Sequence, residues 1–242
     1  MRSGRAAWIG LNTASYICEL VFLGLAITVQ ISSDWAVYDV TYIGLIDNYN
    51  QLSRSRGLWK QCITNQIVSS PYNGQCYALE TSTESGRYNG NVQPILFMRI
   101  AINSLQIIAI ILVFIIIIIT CALLLTACMR PQKIRYRTAQ YTALGGGAAL
   151  WLTGLIYFIS LLLYYEDLTQ ENYRLDTKLT SARSAWTTTV RDNTVYSHGG
   201  MVPMAWSACL LIYAGSIFQL MASVFEKPVR EETKEYVEND EE

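Results

Sequence analysis

Residues 107–125 read IIAIILVFIIIIITCALLL: nineteen positions without a charge, including five consecutive isoleucines at Ile115–Ile119. A hydrocarbon core of about 30 Å takes roughly 20 mainly apolar residues in a helix. A helix is also what lipid demands, because each backbone polar group must find its partner within the segment. The whole block, 100–128, therefore reads as a membrane span. Outward from it lie three more blocks of the same kind. Residues 7–31 are interrupted by Asn12, Glu19 and Gln30, residues 142–165 carry Gly145-Gly146-Gly147 near their start, and residues 202–225 form the last. Of the 242 residues, 52% are hydrophobic and only 15% charged, against about 25% charged in soluble domains. A disordered chain is excluded. The net charge of −1 leaves no electrostatic footprint for nucleic acid, and an ordinary soluble enzyme does not fit.

The first block follows Arg2 and Arg5, as a secretory signal would. Its apolar stretch is longer than the usual core of about 7–15 residues, and no small-x-small cleavage site follows cleanly. It is expected to stay as a span. Orientation follows from Lys and Arg in the short loops. The segment 129–141 carries Arg130, Lys133, Arg135 and Arg137 with no acid, so it is expected in the cytoplasm. Residues 1–6 and the tail 226–242 then lie inside as well. The loops 32–99 and 166–201 face outside, the first much the larger. Trp8, Tyr164, Tyr165 and Trp206 fall near span ends, as interfacial aromatics do. The tail has eight acids against three bases and reads as a solvated segment with no attraction to anionic lipid.

Only two of the six cysteines, Cys62 and Cys76, lie within a loop. In an oxidising compartment a Cys62–Cys76 disulfide is the simple expectation, with two free thiols as the alternative. Closing a loop of about 15 residues contributes roughly 3 kcal/mol in the chain-entropy account. Around the pair, Trp35–Ile43 and Leu58–Thr64 are rich in aromatic and β-branched residues. Pro71-Tyr72-Asn73-Gly74 is a turn signal, and Gln75–Leu79 reads as a return strand. A stapled hairpin in a small outer sheet follows, because such a sheet has little core of its own.

Trp35, then Gly57-Leu58-Trp59, then Cys62 and Cys76, with Arg99 just before the second span, resembles the W…GLW…C…C signature of the claudin superfamily. That group holds junctional claudins, gamma-type auxiliary subunits of calcium channels and glutamate receptors, and peripheral myelin proteins. The resemblance implies an all-α membrane protein, a four-helix transmembrane bundle with a small extracellular antiparallel β-sheet. It implies that Trp35, Gly57, Leu58 and Trp59 anchor the sheet to the bundle and that Arg99 guards the entry to the second span. It also implies a Cys62–Cys76 disulfide and no catalytic residue. A tetraspanin is excluded, because its cysteine-rich loop is the second outer one, and here 166–201 has no cysteine.

Glu19 in mid-span would cost at least about 2.5–3.5 kcal/mol as an unpartnered charge. It reads as a contact to a partner channel, part of an interior polar network, or a protonated or hydrogen-bonded packing residue. The glycine run with Ala148, Ala149 and Gly154 reads as a face for close helix packing, not a phosphate loop. His198 is the only histidine and reads as a loop residue. Cys128 is a candidate for palmitoylation, or a free thiol. No sequon for N-glycosylation occurs. Charges in the first outer loop nearly balance, so no pore selectivity follows. No cofactor, metal or enzymatic activity is expected. The ending Asp240-Glu241-Glu242 lacks the apolar last residue a PDZ pocket takes, so no PDZ contact is expected there. Two functions stay open. One is cell–cell contact, paracellular barrier or membrane organisation at the plasma membrane and its junctions, through itself or related proteins in cis or trans. The other is an auxiliary, non-pore subunit regulating an ion channel or receptor. Membrane lipid is the partner common to both.

Overall fold

The computed structural model describes residues 2–40, 53–64, 74–79, 93–129, 136–173 and 188–225. The elements are α1 (Arg2–Ile31), β1 (Ala36–Val40), β2 (Arg54–Arg56), β3 (Lys60–Ile63), β4 (Cys76–Ala78), α2 (Gln93–Met129), α3 (Tyr136–Tyr173), α4 (Thr188–Asp192), β5 (Thr194–His198) and α5 (Met201–Phe225). Four of the described helices are long and apolar enough to cross a membrane, over Ala6–Ile31, Leu96–Met129, Thr138–Gln170 and Met201–Val224. Their apolar side chains point outward as well as inward. Ile107, Ile111, Phe114, Ile118 and Leu125 of α2 are all exposed, as a lipid solvent allows.

The helices outrun the apolar blocks. α2 begins at Gln93 rather than 100 and α3 at Tyr136 rather than 142. The extra turns lie beyond the apolar blocks, within the segments 32–99 and 129–141. Likewise, α1 reaches back to Arg2, and α3 continues from the expected end at 165 to Tyr173. Hydropathy marks where lipid stops, whereas a helix stops where its hydrogen bonds stop, and nothing in these flanks breaks them. The remaining basic loop residues, the Pro71–Asn73 part of the turn, residues 41–43 and the acidic tail lie outside the described residues.

The chain divides into two compact units. Unit 1 comprises Met1–Gly24, Ala109–Leu155 and Ala208–Glu242. Its described part is all helix and its packing rests on small residues. A Cβ on Gly147 would stand 2.7 Å from Leu220 Cγ, and one on Gly146 2.5 Å from Gln219 Oε1. The glycine run is therefore the seat of α5 against α3, and Ser216 Oγ donates to the Gly147 carbonyl at 2.8 Å. Trp8 packs with Ala127, Ala139, Ala143 and Ala222 in a small apolar cluster.

Unit 2 comprises Leu25–Ile108 and Ile156–Ser207 and contains the sheet. Its order is β4-β3-β2-β1-β5, every pair antiparallel. Four strands come from the segment 32–99: β1, β3 and β4 fall where strands are expected, and β2 falls where none is. The fifth corrects that reading: β5 comes from the segment 166–201 and pairs with β1 over its whole length, Ala36↔His198 to Val40↔Thr194. Gly74 adopts φ 76°, the left-handed conformation the Asn-Gly signal points to.

Candidate functional site

Strand alternation sorts the sheet residues of unit 2 into two faces. Tyr38, Arg54 and Ile63 stand side by side across three strands and are buried, as are Ala36, Arg56 and Gln61 in the next row. The opposite face carries the row Ser197–Val37–Ser55–Cys62–Cys76, which crosses all five strands. Val195, on the edge strand, is 62% exposed. The Cys62–Cys76 disulfide is formed and ties directly opposed residues on this outward face.

The buried face is held by charge as much as by apolar packing. Arg56 Nη2 donates to Asp167 Oδ2 at 2.6 Å, both side chains almost wholly buried. Arg99 Nε approaches Asp167 Oδ1 at 3.9 Å. One carboxylate of α3 thus serves a guanidinium from β2 and another from α2. Burial is the largest influence on the Arg56 guanidinium and pulls it down, but the Asp167 carboxylate together with the Tyr38 and Tyr164 hydroxyls outweighs it, and its pKa is raised above the ordinary value. Arg54 lies over the Tyr38 ring at 4.9 Å. Burial lowers it to about 10, against the Tyr38 hydroxyl and with the help of neighbouring Arg56.

The remaining motif residues fix the backbone. Trp35 is fully buried. Its indole N–H donates to the Val29 carbonyl at 2.7 Å and its ring lies 4.6 Å from that of Tyr164. Gly57 is glycine for a steric reason, because a Cβ there would collide with the Ser32 carbonyl and stand 2.9 Å from Ser33 Cα. Both obstacles are backbone and cannot turn aside. Leu58 is buried and its carbonyl accepts from Asn103 Nδ2 at 3.3 Å. Trp59 departs from the expected anchor role. It is 44% exposed, because it ends the turn between β2 and β3 on its outward side, and its tie is the carbonyl that accepts from Leu79 N at 2.7 Å.

A second clasp joins β1 to α5. The Asp34 carbonyl accepts from Met201 N at 3.0 Å, and Asp34 Oδ2 accepts from Gly200 N at 2.9 Å, a carboxylate at the start of a helix where the dipole favours it. His198 ends β5 in an aromatic group. Tyr196 Oη and His198 Nδ1 share a hydrogen bond of 2.9 Å, and the Tyr165 ring lies 5.5 Å from the imidazole. In unit 1, Glu19 is buried with Ser15 as a partner at 2.8 Å. Cys128 is exposed one residue before the end of α2. Among the described residues no group of three or more His, Cys, Asp or Glu is placed to hold a metal ion.

A family model described as PMP-22/EMP/MP20/Claudin tight junction matches residues 20–224. The chain belongs to that family. It is a claudin-like, multi-pass membrane protein with four helices able to span the bilayer and an antiparallel sheet. No curated protein matches it. Asp167 is the main residue of this claudin-like site that sequence reasoning missed, since it was assigned to a loop. The signal was present. Tyr157, Tyr164 and Leu168, with Leu161 between, recur at helical spacing past the apolar block, and Asp167 lies on that same buried stripe.

Proposed function

We propose that this chain acts in cell–cell contact, paracellular barrier formation or membrane organisation, through the outward face of its sheet. The partners are copies of itself or related claudin-like proteins, in cis or in trans. Basic loop residues Arg130, Lys133, Arg135 and Arg137 support an orientation with both termini in the cytoplasm and the sheet outside. The observation that carries the reading is the row Ser197–Val37–Ser55–Cys62–Cys76 together with exposed Val195, on a sheet whose other face is fixed by Arg56 and Asp167. That leaves a small, stapled platform whose central row is uncharged, with Asp39 and Lys60 exposed on the same face.

Strand spacing of about 4.8 Å and a rise of about 3.3 Å per residue give this face roughly 300 Å². Two such faces meeting would bury about 600 Å², below the 1,200 Å² or so of a stable pairwise complex. Single contacts would be weak and adhesion would come from many acting together. The test is expression of the full chain in non-adherent cells. Enrichment where transfected cells touch each other, and not where they touch untransfected ones, is the expected result. Uniform surface distribution, with a stoichiometric ion channel co-purifying in mild detergent, would sink the reading in favour of an auxiliary subunit.

A further inference from the structure

Glu19 has no part in the sheet platform, and its surroundings in unit 1 are specific. Asn12, Ser15 and Glu19 lie at i, i+3 and i+7 of α1, on one face, and all three are fully buried. Ser15 Oγ stands 2.8 Å from Glu19 Oε1 and also 2.8 Å from the Gly215 carbonyl oxygen of α5. α1 and α5 lie close here: a Cβ built on Gly215 would be in ordinary contact with Ser15 Oγ at 3.5 Å and Cys18 Cβ at 3.4 Å. The second carboxyl oxygen, Glu19 Oε2, is buried without a hydrogen-bond partner. The basic side chains that are buried among the described residues, Arg54, Arg56 and Arg99, all belong to unit 2.

A serine hydroxyl has one proton to give, yet two oxygens claim it. If Glu19 were a carboxylate, that proton would go to Oε1. The 2.8 Å approach to the Gly215 carbonyl would then hold no hydrogen, and Oε2 would carry buried charge with nothing to answer it. If Glu19 is the acid, Oε1–H donates to Ser15 Oγ and Ser15 Oγ–H donates to Gly215 O. Oε2 is then a neutral carbonyl. Every proton in the chain has one acceptor.

We propose that Glu19 is a neutral carboxylic acid, the head of a relay Glu19 Oε1–H to Ser15 Oγ–H to Gly215 O that joins α1 to α5. The relay makes α5 the hub of unit 1. Gly215 takes α1, Ser216 donates to the Gly147 carbonyl of α3, and Gln219 Nε2 donates to Thr120 Oγ1 of α2 at 2.9 Å. Three neighbouring helices are thus read by three polar contacts on five residues of α5, and the proton on Glu19 leaves the Ser15 hydroxyl free to make one of them.

The test uses the full chain in lipid nanodiscs. The infrared difference between wild type and Glu19→Gln is expected to show the carbonyl band of a protonated carboxyl. Gln keeps a donor at this position, so Glu19→Gln should melt within about 2 °C of wild type, whereas Glu19→Leu and Ser15→Ala should each lose roughly 3–6 °C. Carboxylate bands in place of the acid band would overturn the proposal. So would a wild-type melting temperature that falls when sodium is replaced by N-methylglucamine while that of Glu19→Gln does not, because the carboxylate would then hold a cation. A Glu19→Leu variant melting as high as wild type would remove the relay as a link between the helices.

Discussion

Replacing Asp167 by alanine leaves the Arg56 guanidinium buried, with Arg99 close by and the shared counter-ion gone. Both members of the Arg56–Asp167 pair are at most 4% exposed and 2.6 Å apart, so solvent does little to screen the loss. Removing one partner of such a pair costs about 3–5 kcal/mol, mostly the expense of the stranded charge. The 3.9 Å approach of Arg99 is to the same carboxylate and is not a second, additive loss. For a chain of this size about 1 kcal/mol moves the melting temperature by roughly 2–4 °C, so Asp167→Ala should lose about 6–20 °C. Asp167→Asn keeps an acceptor without its charge and should lose about half as much. The measurement is the fraction of monodisperse protein surviving a heating series in mild detergent. Asp192→Ala is the control, since that side chain is 65% exposed beside Arg191, and it should move the midpoint by no more than about 2 °C. Asp167→Ala melting with that control would refute the view that this ion pair holds the sheet face. A paired Arg56→Met, Asp167→Leu variant should recover part of the loss, and only part, because Arg99 stays.

Gly57→Ala should abolish surface delivery, read by surface biotinylation, because the new methyl meets backbone at Ser32 and Ser33. Gly10→Ala, whose Cβ has nothing within 4 Å, should be delivered normally. Cys62→Ser with Cys76→Ser should lower stability by about 2–4 kcal/mol and remove the reduction-dependent gel shift of the wild type, and a persisting shift would point to another disulfide. Trp35→Phe keeps the ring against Tyr164 but leaves the Val29 carbonyl without its donor. It should cost about 1–3 kcal/mol, read in the same heating series.

What was legible in the sequence was what short range decides. Nineteen uncharged residues at 107–125 can only be a span. Two loop cysteines flanking an Asn-Gly turn could be paired, and the aromatic and β-branched run that holds Ala36 to Val40 was visible as a strand. β2 escaped notice because Arg54-Ser55-Arg56 looks like a solvated loop. Its two arginines are buried only because Tyr38 and Asp167 wait for them, 16 and 111 residues away in sequence. β5 was missed for a related reason. Thr194–His198 has no local partner, and it is a strand because β1 offers an edge. The exposure of Trp59 was equally unreadable, since Leu58 and Trp59 are both apolar neighbours and only the turn geometry decides which one faces in. Glu19 was seen at once as anomalous, but the contact of its neighbour Ser15 with Gly215 of α5, 200 residues on, lies outside any sequence window.

The pairing of β1 with β5 sets a clock on biogenesis. β1 ends at Val40 and β5 begins at Thr194. At about 5–20 residues per second, translation takes roughly 8–30 s to make the distance between them. For that interval β1–β4 can be complete while β1 still shows a row of unclaimed N–H and C=O groups. With the sheet outside, as proposed, anything extended in the lumen can pair there. The sheet closes only after α3 has been made and, in the proposed orientation, β5 has reached the same side of the membrane as β1. Completion of the platform therefore reports that the later spans have been threaded correctly, a check on topology that a sheet confined to the first loop would lack.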